Sequence, residues 1–315
     1  MLVAGGAFFS GHTTHYQGAE LYDPVTTSWV VTGAPVVSRQ GHTATLLANG
    51  KVLMAGGYEG GYPVETELYD PATGLWSTTG NIFRARDLRT ATLLNDGRVL
   101  VAGGVGHTIH TFTSAEIYDP STGAWTPTAS LGTGRADHSA NLLPDGRVLV
   151  AGGHDLSNTL LASAEIYDPS TSKWTATANM PAARGSQTAA LLRDGRVLVA
   201  GGTGDDLSCF LYDPISGTWS TTGSLSQTHV YHTMTVLPMG QVLITGGSTI
   251  LNSGVGSAVT ELYNPNTGTW KNGGDLLQPR LTHTATLLRT GKVLVAGGFN
   301  SSVYLKECEL SSRTP

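Results

Sequence analysis

The chain has 315 residues, a formal net charge of -5, only 13% charged residues and 41 glycines. It carries no basic footprint for nucleic acid and no apolar run long enough to span a membrane as a helix. Abundant glycine among dense β-branched residues points instead to many short strands joined by tight turns.

In chain order, the first element is an apolar run ending at Gly5-Gly6, and the same run returns at Gly56-Gly57, Gly103-Gly104, Gly152-Gly153, Gly201-Gly202, Gly246-Gly247 and Gly297-Gly298. Self-similarity with a period of 45 to 51 residues makes the chain one small unit repeated. This run is labelled strand b. Strand c follows, an Ala-Glu-Ile-Tyr-Asp-Pro pattern carrying Tyr22, Tyr69, Tyr118, Tyr167, Tyr212 and Tyr263. Its Asp-Pro begins a turn in which the carboxylate can accept from the backbone ahead. Strand d opens with Trp29, Trp76, Trp125, Trp174, Trp219 or Trp270, one large aromatic per repeat and well suited to an interface between neighbouring sheets. Strand a begins at His42, Arg89, His138, Gln187, His232 and His283. It ends in Asn49-Gly50, Asp96-Gly97, Asp145-Gly146, Asp194-Gly195, Met239-Gly240 or Thr290-Gly291, which reads as a two-residue type I′ hairpin into the next strand b. Cys209 and Cys308 fall where Ala19, Ala115 and Ala164 stand in other repeats, and read as small buried strand residues.

The recurring Gly-Gly, Tyr and Trp, with an Arg ahead of strand a, resemble the Kelch repeat. That resemblance implies an all-β β-propeller with one four-stranded antiparallel blade per repeat, spanning residues 1–315 as a single domain. The strands number six a, seven b, seven c and six d, which gives seven blades with incomplete terminal blades. The alternative is six blades, with the first strand d completing the last blade. The abrupt ends read as those of a piece of a longer chain.

Spacing separates scaffold from variable surface. The start of strand a lies 14 residues before the first glycine of the pair in all six cases, as from 42 to 56, and the turn Asp or Asn lies 6 before Trp, as from 23 to 29. Only the stretch from Gly-Gly to the c-to-d turn varies, at 18, 14, 16, 16, 12 and 18 residues. Because strands alternate in direction, the b-to-c and d-to-a connections share one face, and insertions collecting there mark it as the binding side.

Three residues before strand a stand Arg39, Arg86, Arg135, Arg184 and Arg280, with His229 in the remaining repeat. Two readings stand. A ring of guanidinium groups at a central mouth would hold carboxylates or hydroxyls of a ligand, and in Kelch adaptor proteins similar arginines contact acidic peptides. Alternatively, each Arg bonds a neighbouring blade's carbonyls or the strand-c glutamates Glu20, Glu67, Glu116, Glu165 and Glu261. One residue before strand a the repeats differ, reading Gly41, Leu88, Asp137, Ser186, Tyr231 and Thr282, while Arg89 replaces the usual His. Such irregular positions are where one particular ligand would be recognised.

Metal chemistry has two candidate locations. His12 with His15 and His107 with His110 form His-x-x-His pairs in loops, without an adjacent acid or Cys to complete a ligand set. Tyr231-His232 resembles the Tyr-His copper ligands of galactose-oxidase-like and glyoxal-oxidase-like enzymes. That resemblance implies an axial Tyr231, an equatorial His232 and a copper cofactor, but His232 also belongs to the common His column and both cysteines lie on strand c. There is no G-x-S-x-G elbow and no phosphate-cradling loop.

The expectation is a binding module without a resident cofactor, receiving a protein segment or a glycan at its mouth. Phe8, Phe9, Tyr16, Tyr58 and Tyr62 supply stacking surface in the b-to-c loops. The rival readings are an enzyme on the same scaffold, either the copper oxidase or a lyase or hydrolase using mouth His and Tyr, and a structural domain of a larger extracellular protein. Composition leans toward a secreted or cell-surface protein and fixes no oligomeric state.

Overall fold

The computed structural model describes residues 1–9, 13–87, 89–106, 110–204 and 207–311, with the backbone alone at 8, 9 and 13–15. Among the described residues there is no helix, and each repeat forms one antiparallel sheet in the order a-b-c-d. In the second repeat, strand a (Thr43–Leu46) pairs with b (Val52–Ala55), b with c (Thr66–Asp70), and c with d (Leu75–Thr79). That register sets Val52 against Tyr69 and Tyr69 against Trp76. Strand b is covered on both faces, so every residue of Val99–Ala102, Val148–Ala151 and Val197–Ala200 is buried, which explains its unbroken apolar run. Strand d, at the sheet edge, is mostly exposed, with Trp174 and Thr177 the less exposed residues of Lys173–Thr177.

The terminal sheets have three strands each. The first comprises b (Leu2–Ala4), c (Ala19–Asp23) and d (Ser28–Val31); the last comprises a (Thr284–Leu287), b (Val293–Ala296) and c (Cys308–Leu310). Because the first strand d pairs with its own strand c, with Tyr22 against Trp29, it is not lent to the last sheet. The six-blade alternative is therefore excluded, and the count is seven blade sheets with incomplete terminal members, beside two short hairpins (Ala7–Phe9 with Thr13–His15, and Phe299–Asn300 with Val303–Tyr304).

The a-to-b turns correct one expectation. A type I′ turn needs positive φ at both central residues. Here only the glycines have it (Gly50 at 83°, Gly97 at 86°, Gly146 at 88°), whereas the preceding Asn or Asp does not. The carbonyl of Leu47 accepts from Gly50 and its N–H donates to Lys51, which makes a three-residue loop with a glycine bulge. The Asn or Asp is retained for its side chain: Asn49 Oδ1 accepts from Lys51 N at 3.0 Å and Asp96 Oδ1 from Arg98 N at 3.0 Å. Met239-Gly240 and Thr290-Gly291 make the same turn because the glycine alone carries the unusual dihedral.

Successive sheets are joined by repeated polar latches. Thr32, Thr79, Thr128, Thr177 and Thr222 on strand d each bond the hydroxyl of the next repeat's strand-c Tyr, at 2.7 to 2.8 Å. Within each repeat that Tyr stacks at a tilt on the strand-d Trp, with centroids 4.9 to 5.2 Å apart. The Trp indole N–H of Trp76, Trp174, Trp219 and Trp270 in turn donates to a carbonyl just after the preceding strand d.

The contacts divide the chain into two compact units. One holds Met1–Val150, His154–Thr159 and Glu165–Ala176, and the other Ala151–Gly153, Leu160–Ala164 and Thr177–Pro315. In the first, the a strands of the second, third (Thr90–Leu93) and fourth (Ser139–Leu142) repeats lie side by side. In the second, those of the fifth (Thr188–Leu191), sixth (Thr233–Val236) and seventh repeats do the same. Each unit carries its own apolar layers, such as Leu100, Val148 and Tyr167 in the first and Leu198, Val242 and Tyr263 in the second.

Candidate functional site

In every repeat with a strand a, the backbone just ahead of it pairs with the residue just after Gly-Gly. The bridges are Gln40 with Tyr58, Asp87 with Val105, Ala136 with His154, Gly185 with Thr203, Val230 with Ser248 and Leu281 with Phe299. They carry short bonds, as between Asp87 and Val105 at 2.9 Å in both directions. Each d-to-a connection is thus fastened to the b-to-c loop of its own repeat, and the two emerge at the same end of the sheet.

Beneath that surface lie the arginines. Arg39, Arg86, Arg135, Arg184 and Arg280 are all 0 to 1% exposed. Arg39 Nη2 donates to Glu67 Oε1 at 2.8 Å, and its Nη1 to the carbonyls of Gly56 and Glu65. Arg86 pairs with Glu116 at 2.6 Å, Arg135 with Glu165 at 2.8 Å and Arg280 with Glu309 at 2.7 Å. Arg184 donates to the carbonyls of Gly201 and Ser208 and lies over the Phe210 ring at 4.5 Å. His229 takes the place of Arg, with Nδ1 to Gly246 O at 2.6 Å and Nε2 to Glu261 Oε1 at 3.2 Å. The carboxylates also accept from consecutive N–H groups of the d-to-a connection: Val36 and Val37 for Glu67, Gly132 and Thr133 for Glu165. A guanidinium removed from water needs such partners; the strand-c acid is the expected one, while the carbonyls belong to the repeat's own b-to-c loop and not to a neighbouring blade, because the connection folds back over its own sheet. Glu309 extends the acid column to the last repeat, where Cys308-Glu309-Leu310 matches Ala-Glu-Ile.

The His column is a packing device. A Cβ on Gly201 would fall 2.5 Å from His232 Cε1, and one on Gly103 2.7 Å from His138 Cε1. The first glycine of each pair is therefore obligatory where the next repeat's ring or its counterpart closes over it, Arg89 over Gly56 and Gln187 over Gly152. His138 Nε2 bonds Thr90 Oγ1 at 3.0 Å, His232 Nε2 bonds Thr188 Oγ1 at 2.6 Å, and His283 Nε2 bonds Thr233 Oγ1 at 3.0 Å. Burial lowers all of them, His42 to about 4 and His138, His232 and His283 to about 3, so they are neutral at pH 7.

Tyr231 and His232 address different neighbours. The Tyr231 hydroxyl donates to Asn252 Oδ1 at 3.2 Å, whereas His232 is buried against Gly201 and Thr188 of the preceding repeat. His12 and His107 lie outside the described residues, as does the side chain of His15; His110 is exposed. Leu88, Asp205 and Asp206 are also outside them. Among the described residues no three His, Cys, Asp or Glu side chains gather as a metal site.

The irregular column one residue before strand a is left-handed. Gly41 (66°), Asp137 (52°), Ser186 (53°), Tyr231 (58°) and Thr282 (53°) all have positive φ. Glycine adopts this conformation without steric penalty, while other L-residues pay about 1 kcal/mol or more. Only one of the five described positions uses glycine, so four side chains are kept at a conformational cost. Asp137 Oδ2 lies 3.7 Å from His154 Nδ1, and Tyr231 reaches the b-to-c loop through Asn252. In the second repeat, Tyr58 and Tyr62 meet edge to face at 5.4 Å. Asp87, one residue outside the irregular column, sits over Gly41: a Cβ there would come within 2.7 Å of its Oδ1. Arg89, buried and still cationic with a pKa lowered by burial to about 10, holds the same oxygen at 3.6 Å.

Seven antiparallel blade sheets, one per tandem repeat, define the β-propeller class. A model of the KLHDC2/KLHL20/DRC7 Kelch-repeats domain matches residues 1–202, and the chain belongs to the Kelch-repeat family. Among solved structures, one titled "Structure of YjhT" is similar at a TM-score of 0.69 and 16% identity, covering 88% of this chain and 95% of that one, which supports the fold alone. No curated protein matches in sequence. No helix among the described residues is long and apolar enough to cross a membrane. Kelch propellers commonly act as protein-binding modules.

Proposed function

We propose that this chain is a non-catalytic binding module that receives a protein segment on the ends of its sheets where the b-to-c and d-to-a connections emerge. The observation that carries this reading is the left-handed column. The backbone there is the same in every described repeat, glycine would suit it best, and yet Asp137, Ser186, Tyr231 and Thr282 occupy it. Strain retained at positions that differ from repeat to repeat is a mark of ligand recognition rather than of the scaffold. The buried arginines serve this surface from below by fixing the connections that carry it, so the recognising groups are Asp137 and the loop tyrosines in the first unit and Tyr231 in the second.

The test is selection of a random displayed-peptide library against the chain, with an Asp137→Gly/Tyr231→Gly variant as the counterscreen. Glycine relieves the left-handed strain, so the variant should melt at the parent temperature or above while losing the selected peptides. Peptides that bind parent and variant alike would refute the reading. A glycan array run on the same pair tests carbohydrate as the alternative ligand class.

A further inference from the structure

We infer that the sixth repeat carries a proton-dependent brace, in which His229 holds a proton on both ring nitrogens to tie its d-to-a connection to its own strands b and c. His229 takes the position that arginine fills in the five other repeats with a strand a. It is fully buried, and each ring nitrogen faces an oxygen: Nδ1 lies 2.6 Å from the carbonyl of Gly246, just after strand b (Val242–Thr245), and Nε2 lies 3.2 Å from Glu261 Oε1 on strand c (Thr260–Asn264). A backbone carbonyl only accepts, and so does an ionised carboxylate. Burial would raise the Glu261 carboxyl, but bonds from His229 and the Ser226 N–H outweigh it and hold that group below its ordinary value, ionised. Neutral imidazole has one N–H and serves Gly246 or Glu261, whereas imidazolium has two and serves both. Arg280 meets the same two acceptors in the seventh repeat, Gly297 O at 2.7 Å and Glu309 Oε1 at 2.7 Å, with a charge that pH does not remove.

The neighbours of the ring do not replace its proton. Among the described residues, Glu261 has no ion pair other than His229. His232, at the start of strand a, meets His229 edge to face at 5.9 Å and stays neutral, because burial first and then the charge on His229 lower it to about 3. From the next repeat, the Arg280 carbonyl and the His283 ring close over Gly246. Burial holds His283 at about 3, and the Arg280 guanidinium is committed to Gly297 and Glu309.

The brace underlies the surface end of its repeat. Val230, next to His229, exchanges backbone bonds with Ser248 at 2.8 and 2.7 Å, Gln227 Nε2 donates to Ser257 Oγ at 3.0 Å, and Tyr231 reaches Asn252. Losing the proton leaves a buried carbonyl or carboxylate short of a donor, so the bonds are complete at lower pH and the connection loosens as pH rises. The four buried neutral histidines act in the opposite sense, and a local measurement separates the two effects.

The experiment is amide exchange by NMR from about pH 6 to about pH 9, corrected for intrinsic rates. Protection of the Val230 and Ser248 amides should fall about tenfold across this range, while Leu281 and Phe299, the matching bridge beside Arg280, hold within about twofold. His229→Arg, which installs the residue of the other repeats, should make Val230 and Ser248 as insensitive to pH as Leu281. The ring nitrogen signals of His229 in the parent chain need no variant: both should be protonated at about pH 6 and only one at about pH 9. Val230 and Ser248 that track Leu281 and Phe299 at every pH, a His229→Arg chain that keeps the parent's pH dependence, or a ring with one unprotonated nitrogen at the acid end overturns the inference.

Discussion

Arg135 and Asp137 are two residues apart in one connection, yet the structure gives them opposite surroundings. Arg135 is 0% exposed and paired at 2.8 Å with Glu165, whose carboxylate also holds the N–H groups of Gly132 and Thr133. Removing one partner of such a pair leaves an uncompensated charge indoors, so Arg135→Ala should cost about 3–5 kcal/mol, read as a lower denaturation midpoint. Asp137 shares the left-handed backbone with Gly41, so Asp137→Gly should leave the midpoint unchanged or raise it slightly. From the sequence both look alike, a polar residue ahead of strand a. Their difference is burial, which no single position in a sequence reports, although the near-uniform Arg column and the irregular column beside it already separate scaffold from surface in outline.

At the level of the element, the b strands, the Tyr-to-Trp pairing and the c-to-d turns are legible in the sequence because each depends on local chemistry that recurs in every repeat. The a-to-b turn is not fully legible, since Asp-Gly suits both a type I′ turn and a glycine bulge and only the dihedrals separate them. In the bulge form the single demanding position is the glycine, with φ of 88° at Gly146. Gly146→Ala should therefore cost about 1–2 kcal/mol in unfolding free energy, whereas Asp145→Asn, which keeps an acceptor for Arg147 N, should be near neutral. Between elements, the Thr177 to Tyr212 latch at 2.8 Å joins one repeat to the next, and Tyr212→Phe should lower stability by about 1 kcal/mol.

For the whole molecule, the neutral buried histidines predict the response to acid. Their folded pKa values, about 4 for His42 and about 3 for His138, His232 and His283, lie below the 6.5 of the unfolded chain. The unfolded state therefore binds protons first, and the stability these residues contribute is full above pH 6.5 and is lost progressively as pH falls toward 3 to 4. Thermal midpoints measured from about pH 7.5 to 4.5 should fall, and His138→Gln, copying the Gln187 solution, should flatten that fall. A midpoint unmoved across this window would contradict the assigned burial.

The sequence by itself determined the number of repeats, the four-stranded unit, the end of each sheet at which loop length varies, and the Kelch family. Period, turn chemistry and spacing are properties of the chain and survive without coordinates. Only the tertiary structure decided what the polar columns do. Whether a guanidinium faces water or a carboxylate depends on how a connection folds back over its own sheet, with the partner 30 residues away in the case of Arg135 and Glu165. That folding makes the arginine column an internal brace, held by the strand-c acids rather than facing water.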